Sequence, residues 1–253
     1  MKGEMIGGFL KIRNLEKSFG GNRVINDFSL DVTECRLLCL VGPNGAGKTT
    51  MIDLISGRQT PDKGGIWLNG EDITGIGEHE IARLGVGRKF QIPAVLKGLS
   101  VRENFEVAYS RETNALRNMF TLRAAGCTEK LQEIASIVRL SDRLDMEAGL
   151  LSHGETQWLE IGMVLMQDPD ILLLDEPIAG MTENEIALTV EILNGLKKTH
   201  TIIVVEHNMN FVRKIADVVT VLHMGALLAQ GSLEEIENNE RVRAVYLGTE
   251  DAY

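Results

Sequence analysis

The chain has few of the features that mark secreted, metal-binding or nucleic-acid-binding proteins. Its 253 residues include only three cysteines, Cys35, Cys39 and Cys127, an odd number without metal-ligand spacing. We therefore expect buried or reduced thiols, as in cytosolic proteins. Positive charge is also scarce, since 26 Lys and Arg stand against 36 Asp and Glu, for a formal net charge of -10. This balance disfavours DNA or anionic lipid as the main partner, because both bind basic surfaces.

Long apolar runs are missing as well, and so are repeats and low-complexity tracts. The longest apolar runs, at 37–41, 171–174 and 202–205, fall well short of the ~18 residues that a membrane-spanning helix needs. The first residues carry Glu4 and lack the apolar core of a signal peptide. We expect a cytoplasmic chain, and any work at a membrane then requires another protein to hold it there.

The order of apolar segments predicts an α/β fold. Continuous apolar segments at 37–41, 171–174 and 201–205 are typical of buried strands, and helices are predicted at 183–198 and 209–216. Buried strands that alternate with helices form a mostly parallel sheet with both faces covered. The predicted core of the protein is therefore a parallel sheet between helices.

The middle of the chain differs from its ends. Between residues 100 and 167 the apolar residues recur near helical spacing, which predicts a helical insert into the α/β core. The first part of the chain instead alternates apolar and polar residues, as strands exposed on one face do. Further strands are predicted at 10–12, 24–25, 28–32, 66–68, 218–222 and 226–229, with a turn at Asn69-Gly70.

A glycine-rich turn follows the first buried strand and matches the G-x-x-x-x-G-K-[ST] phosphate loop. Glycines let successive backbone N–H groups point at phosphate oxygens, and the helix that begins there adds its positive N-terminal end. Lys48 supplies a charge for the β- and γ-phosphates, and the Thr49 hydroxyl is suited to ligate Mg²⁺. The predicted ATP-binding residues of this loop are Gly42, Pro43, Asn44, Gly45, Ala46, Gly47, Lys48, Thr49 and Thr50.

Two carboxylates stand where the strand at 171–174 ends. Ligand sites in open α/β sheets lie at the carboxyl ends of strands. Asp175 is suited to hold Mg²⁺, and Glu176 to polarise the attacking water, since positioning and electrostatics dominate phosphoryl transfer. An acidic loop after a core strand is the plainer interpretation, but the phosphate loop upstream favours the catalytic one.

Ser152 and Glu155 form an S-x-x-E capping box before a helix. Taken alone, this pattern predicts only a well-capped helix. A helix N-terminus with a free hydroxyl and exposed N–H groups is also an anion site. The two interpretations are separated only by the rest of the sequence.

The segment Leu151, Ser152, His153, Gly154, Glu155 resembles the LSGGQ signature of ABC ATPases, and the order of motifs across nearly the whole chain fits that family. The resemblance implies that this signature faces the γ-phosphate of ATP held by a second subunit, with two nucleotides between two chains. His153 replaces the central glycine and Glu155 the glutamine, which leaves the role of His153 open.

The same resemblance assigns roles to isolated residues. Gln91 matches the Q-loop glutamine, which touches Mg²⁺ and water, and His207 matches the switch histidine that contacts the γ-phosphate. Phe19 matches the aromatic residue that stacks on adenine, and Thr182 stands where the family's D-loop usually has an aspartate. The expected catalytic residues are Glu176, His207 and Gln91, and the expected metal-binding residues are Thr49, Gln91 and Asp175.

The resemblance also implies the architecture. The chain is expected to be one ABC ATPase domain, with a P-loop NTPase core, a mostly parallel sheet, an N-terminal antiparallel β subdomain and an inserted helical subdomain. Residues 1–90 and 168–253 would form the ATP-binding core, and residues 91–167 the helical subdomain with the signature.

Several stretches resemble the ATPases of branched-chain amino acid transporters, and more narrowly their urea and short-chain amide branch. These are 87–91, 151–163 and 179–182, and the tail at 245–248 fits the wider group. The resemblance implies an importer subunit for urea or short-chain amides, or alternatively for branched-chain amino acids. Expected partners are a second ATPase subunit in a homo- or, more in keeping with this group, heterodimer, two permeases that hold the chain at the inner face of the membrane, and indirectly an external solute-binding protein, with no nucleic acid.

Two other classes compete with a transport ATPase. One is a soluble ABC ATPase acting on DNA or ribosomes. A member acting on DNA would carry a long coiled coil between phosphate loop and signature, and no sustained heptads occur here. A member acting on ribosomes would usually carry two such cassettes in one chain, and this sequence has one. A small P-loop kinase would lack the signature and the switch histidine.

Near the expected permease contact, Ile92, Val95 and Leu96 look exposed and are interpreted either as a socket for a permease helix or as ordinary packing.

Overall fold

A computed structural model describes residues 9–88, 95–109 and 125–247. Its strands are β1 (Leu10–Phe19), β2 (Asn22–Val32), β3 (Leu37–Val41), β4 (Lys63–Leu68), β5 (Glu71–Asp72), β6 (Val86–Arg88), β7 (Ile171–Asp175), β8 (Thr201–Val205), β9 (Val218–His223) and β10 (Ala226–Gly231). Its α-helices are α1 (Lys48–Ile55), α2 (Glu78–Arg83), α3 (Val101–Tyr109), α4 (Ala125–Ile137), α5 (His153–Leu165), α6 (Glu183–Leu196), α7 (Met209–Ile215), α8 (Leu233–Glu237) and α9 (Glu240–Leu247). Short 3-10 turns lie at Ser141–Arg143 and Ala148–Leu150.

The strands form two sheets. An antiparallel sheet has the order β2-β1-β4-β5, and a six-stranded sheet has the order β10-β9-β3-β8-β7-β6. In the second sheet β3 pairs in parallel with β8 and β9, and β7 pairs in parallel with β6 and β8, while β9 and β10 form an antiparallel hairpin. The predicted α/β fold class, with a mostly parallel core sheet and an N-terminal antiparallel sheet, is confirmed.

The parallel sheet is covered on both faces because its strands are apolar on both. All five residues of β3 are buried, and they alternate between the two faces. Leu37 and Cys39 pack into the hydrophobic cluster formed with α3 to α7, whereas Leu38 and Leu40 pack into the cluster that holds α1 and the antiparallel sheet. Because both faces of such a strand are buried, its sequence is a continuous apolar run, and this run predicts a parallel core strand.

The helices of the middle segment pack around Phe105, which is fully buried. A Cβ atom at Gly162 of α5 would lie 2.6 Å from the Phe105 ring, so the glycine lets α5 approach α3 closely. Along α5 every residue from Trp158 to Leu165 is buried. The helix that begins at the signature is therefore held rigidly between the middle helices and the sheet.

The topology brings the carboxyl ends of β3, β7 and β8 to one edge of the parallel sheet. The phosphate loop follows β3, the acidic pair closes β7, and Glu206 and His207 follow β8. Within the described residues, no helix is both long and apolar enough to cross a membrane.

Candidate nucleotide site

The phosphate loop lies between β3 and α1 and has glycine at two positions where backbone approaches backbone. Gly42 has a φ of 157°, and a Cβ atom there would lie 2.1 Å from the carbonyl oxygen of Leu222. Gly47 has a φ of 103°, and its Cβ atom would lie 2.8 Å from the carbonyl oxygen of Val24. Larger residues at these positions would push the loop away from β2 and β9, which hold its shape.

Lys48 is the first residue of α1 and is 9% exposed. Its ammonium group donates to the carbonyl oxygens of Gly42 (2.8 Å) and Pro43 (3.0 Å). Burial lowers the pKa of Lys48 below its usual value, although the nearby Glu176 and Asp175 carboxylates oppose that shift. A partly desolvated ammonium that is held by loop carbonyls is suited to receive a phosphate anion.

Asp175 ends β7, and its Oδ2 atom is buried without a hydrogen-bond partner among the described residues. Burial raises the pKa of Asp175, with a further rise from the Glu176 charge, and the Arg88 charge and a hydrogen bond from the Thr49 hydroxyl oppose the rise. The Thr49 hydroxyl and the Asp175 carboxylate are thus neighbours, and both are hard oxygen donors. This donor set and the unpartnered oxygen fit a bound Mg²⁺ ion.

Glu176 follows Asp175 in the left-handed backbone region, with a φ of 46°. Its N–H donates to the carbonyl oxygen of Val205 (3.0 Å), which fixes this conformation against β8. The side chain is half-exposed, and its Oε1 atom lies 3.5 Å from Nδ1 of His207. A non-glycine residue in this region stores roughly 1 kcal/mol or more of strain, and such residues cluster at active sites.

Two further residues at this edge were missed by the sequence analysis. Glu206 is 1% exposed, and its Oε2 atom accepts from the N–H groups of His207 (3.1 Å) and Asn208 (3.4 Å). Burial raises its pKa, and those N–H groups limit the rise. The signal was available, because a charged residue directly follows the apolar run of β8.

Arg88 is the second missed residue. It ends β6, its side chain is 4% exposed, and its Nη1 atom lies 2.5 Å from Oδ1 of Asp53 and 2.9 Å from Oγ of Ser56. Asp53 lies in α1, so this buried ion pair ties the phosphate-loop helix to the strand that leads toward Gln91. Gln91 itself lies outside the described residues.

The signature segment forms the predicted capping box. The Oγ atom of Ser152 accepts from the N–H of Glu155 (3.1 Å), and the Glu155 carboxylate accepts from the N–H of Ser152 (2.9 Å). Arg143 pairs with Glu155 at 3.0 Å. Nε2 of His153 lies 2.9 Å from the carbonyl oxygen of Ala179, in the segment after the acidic pair.

One expectation about this helix start is wrong for the described conformation. The Ser152 hydroxyl is not free, because it donates to Oε1 of Glu185 (2.9 Å). The N–H of Gly154 donates to the same oxygen (3.2 Å). The anion that the helix N-terminus attracts is supplied by the chain itself.

The remaining predicted site residues lie in varied surroundings. Phe19 ends β1 and is 44% exposed, with the Lys17 ammonium 5.3 Å from its ring centroid. In the loop, Asn44, Gly45 and Thr49 are exposed, Pro43 and Thr50 are half-buried, and Ala46 is buried.

The apolar segment near the expected permease contact divides into two environments. Val95 is 7% exposed and belongs to the hydrophobic core, so the interpretation of this residue as exposed is wrong. Leu96 is 46% exposed, as the socket interpretation requires. Ile92 lies outside the described residues.

The fold and the geometry of the site define the class of protein. The phosphate loop follows the central parallel strand β3, and the acidic pair stands at the end of β7, at the same edge of the sheet. This arrangement is typical of nucleotide-hydrolysing α/β proteins. The family model "ABC transporter" matches residues 25–179, and the model "Branched-chain amino acid ATP-binding cassette transporter" matches residues 226–252. The chain belongs to the ABC transporter family and is one of its ATP-hydrolysing transport ATPases.

Individual relatives extend over nearly the whole chain. A probable branched-chain amino acid transport ATP-binding protein LivG of Archaeoglobus fulgidus is 36% identical over 96% of this chain and 96% of its own length. The high-affinity branched-chain amino acid transport ATP-binding protein BraF of Pseudomonas aeruginosa is 37% identical over 94% of this chain and 97% of its own length.

Solved structures agree with this picture. A nucleotide-free ATP-binding cassette from an ABC transporter superposes with a TM-score of 0.81 at 31% identity, covering 94% of this chain and 98% of that one. The ADP conformation of MJ1267, an ATP-binding cassette of an ABC transporter, gives a TM-score of 0.82 at 30% identity, covering 95% of this chain and 98% of that one.

Proposed function

We propose that this chain is the ATP-binding subunit of an ABC importer and drives solute uptake through two permease subunits. The observation that carries the proposal is the meeting of Thr49 with Asp175, and of Glu176 with His207, at the edge of the sheet where the phosphate loop begins. Each pair joins residues from different elements of the fold, so the arrangement depends on the tertiary structure and not on one motif. It supports hydrolysis of a nucleotide whose phosphates lie on Lys48.

We assign the steps of hydrolysis to residues of this chain. The loop from Gly42 to Thr50 binds the phosphates, with Phe19 against the adenine. Glu176 orients the attacking water, and His207 contacts the γ-phosphate beside it. Thr49 and Asp175, together with Gln91, would hold Mg²⁺, which when bound neutralises charge on the phosphate oxygens.

We further propose that a working site needs two subunits. Ser152, His153, Gly154 and Glu155 would close on the γ-phosphate of ATP held by a second ATPase chain, either a copy of this one or, as we favour, a different subunit. Residues 91–167 would then act as a helical subdomain that carries this movement to the permeases at the inner face of the membrane. The hydrogen bonds that join the start of α5 to Ala179 and to Glu185 of α6 support such coupling.

The solute is assigned by similarity alone, because the site described here binds nucleotide and not solute. The names of the relatives favour branched-chain amino acids. The stretches at 87–91, 151–163 and 179–182 favour urea or short-chain amides, which we keep as the second candidate.

Uptake into vesicles tests the function and the solute together. The chain is isolated with the integral membrane subunits that copurify with it and reconstituted with ATP inside. We expect ATP-dependent accumulation of radiolabelled leucine or of urea, and each result selects one candidate. Copurification with ribosomes or DNA in place of membrane subunits would contradict the importer assignment.

A further inference from the structure

The carboxylate of Glu185 bridges the first turns of two helices. Its Oε2 atom accepts from the N–H and the hydroxyl of Thr182, both at 2.9 Å, and so caps α6. Its Oε1 atom accepts from the Ser152 hydroxyl (2.9 Å) and the Gly154 N–H (3.2 Å) at the start of α5. One side chain therefore uses both of its oxygens, each on a different helix N-terminus.

The contact with α5 is a close one and depends on glycine. A Cβ atom at Gly154 would lie 2.4 Å from Oε1 of Glu185 and 2.5 Å from its carboxyl carbon. Gly154 has an ordinary backbone conformation, since its φ is not among the positive values. The absence of a side chain at this position thus serves the approach of an anion to the backbone N–H.

Helix capping alone does not account for this arrangement. Ser232 and Glu235 form the same capping box at α8, with the Ser232 N–H and hydroxyl 2.7 Å and 3.1 Å from Oε2 of Glu235. Among the described residues, the Glu235 carboxylate accepts no hydrogen bond from a second helix. The hydrogen bond between Glu185 and Ser152 is therefore not part of the capping of α6, which Glu185 also performs.

The donors that Glu185 occupies are the ones that the proposed function gives to a phosphate. Ser152 has a single hydroxyl hydrogen, and it is directed at Oε1. A γ-phosphate cannot accept from this hydroxyl and from the Gly154 N–H while the carboxylate holds both, and two anions at one helix N-terminus repel each other. One anion must leave before the other binds.

We propose that Glu185 is a positioning residue of the signature half-site. Its carboxylate holds Ser152 and Gly154 until the γ-phosphate of ATP on the second subunit displaces that carboxylate. This inference rests on the proposed pairing of two ATPase subunits. Glu185 thereby sets how much ATP is needed to close the pair. Displacement also breaks the connection that Glu185 makes between Ser152 and Thr182. Binding of the nucleotide therefore changes the contacts of the segment that follows the acidic pair.

A second link between the two helices does not involve the Glu185 side chain. Trp158 of α5 donates its indole N–H to the Thr189 hydroxyl (2.9 Å), which in turn donates to the carbonyl oxygen of Glu185 (2.8 Å). Both side chains are buried. A substitution at the Glu185 carboxylate therefore leaves this second link between α5 and α6 intact.

The test measures ATP-dependent association of the full-length chain carrying Glu176→Gln, alone and with the ATPase subunit that copurifies with it. Glu185→Gln is added to this parent, and the half-saturating ATP concentration for dimer formation is read by light scattering. We expect it to fall about fivefold, because a neutral amide holds the two donors more weakly than a carboxylate does. Glu235→Gln is the matched control, and we expect no change from it.

A second variant separates charge from reach. Glu185→Asp keeps the negative charge at the start of α6 and withdraws it from Ser152, so the half-saturating ATP concentration should fall by a smaller factor. Thermal unfolding of each variant without nucleotide shows that the fold is retained. If Glu185 were merely a structural brace, both variants would raise the required ATP concentration or leave it unchanged, and either result would overturn the proposal.

Failure of the proposed function looks different. If the Glu176→Gln parent forms no ATP-dependent dimer, alone or with its copurifying subunit, the pairing itself is refuted, and the inference about Glu185 falls with it.

Discussion

Nδ1 of His207 lies 3.5 Å from Oε1 of Glu176, although the two residues are 31 positions apart and each follows a different strand. The pairing of β7 with β8 brings the two residues together, and the hydrogen bond from the Glu176 N–H to Val205 holds them there. A carboxylate and an imidazole at this distance can together orient one water molecule. The pair is the catalytic core of the site proposed here.

Replacing Glu176 by Gln tests this core. The amide keeps the size of the side chain but cannot polarise water, so we expect ATP binding to persist while hydrolysis slows about 100-fold or more. Phosphate release under saturating ATP measures the rate, and binding of a fluorescent ATP analogue measures affinity. Turnover close to that of the parent would rule out Glu176 as the residue that orients water.

Lys48→Met should weaken nucleotide binding without harming the fold. Burial lowers the pKa of Lys48, so the nucleotide-free protein stabilises the ammonium charge less than water does. Losing a charged donor to phosphate should weaken ATP binding about 10- to 100-fold. Calorimetric titration with ATP and thermal unfolding without it give the two quantities. A large loss of thermal stability would show that Lys48 is chiefly structural.

The ion pair of Arg88 with Asp53 should matter for stability. Removing Arg88 leaves the Asp53 carboxylate, which is 19% exposed, with the more distant and more exposed Arg58 guanidinium (3.9 Å), and breaking a buried pair costs about 3 kcal/mol. Arg88→Met is compared by urea unfolding with Arg13→Met, whose pair with Asp31 is largely exposed and should cost less than about 1 kcal/mol. Equal effects of the two substitutions would contradict the assignment of a buried structural pair.

Glu206 predicts how stability depends on pH. Burial raises its pKa in the folded protein, so its contribution to stability is fully present below the unfolded pKa and is lost as pH rises through the folded pKa. Glu206→Gln should therefore become more stable relative to the parent as pH increases from acid to neutral, in urea unfolding of the nucleotide-free protein.

Glu235→Gln is the control for this pH effect. Hydrogen bonds from Ser232 lower the pKa of Glu235, so its contribution is present above the unfolded pKa and is lost as pH falls through the folded pKa. Its variant should lose stability relative to the parent as pH rises. The same sign for both variants would mean that the environment of Glu206 is not the one described here.

Leu96 gives a cleaner test of the proposed permease contact than Val95. Asn104, which is fully buried, donates to the backbone carbonyl of Leu96 (3.1 Å) and accepts from its N–H (2.8 Å), so the backbone is held while the side chain is exposed. Leu96→Asp should reduce copurification with permeases and leave ATP binding unchanged. Val95→Asp would instead bury a charge and destabilise the fold by about 3 kcal/mol or more.

Leu227→Asp is a suitable control, because Leu227 lies on β10 and is exposed to a lesser extent, 36% against 46% for Leu96. We expect it to leave permease binding intact. Unchanged copurification of the Leu96→Asp variant would exclude the socket interpretation.

The sequence determined whatever depends on neighbouring residues. Continuous apolar runs predicted β3 and β8 with their observed bounds, because strands buried on both faces need no polar position. The phosphate loop was recognisable because its glycines and Lys48 act within one turn of chain. The capping box at Ser152 was predicted for the same reason, since its partners are three residues apart.

The tertiary structure alone decided which distant residues meet. Val95 and Leu96 are both apolar neighbours, and only packing buries one and exposes the other. The sequence suggested that the Ser152 hydroxyl was free, but Glu185 reaches it from another helix, 33 positions away. Such contacts depend on strand order and helix placement, which are set by packing interactions along the whole chain. For this reason no local pattern could reveal that the signature already binds the Glu185 carboxylate.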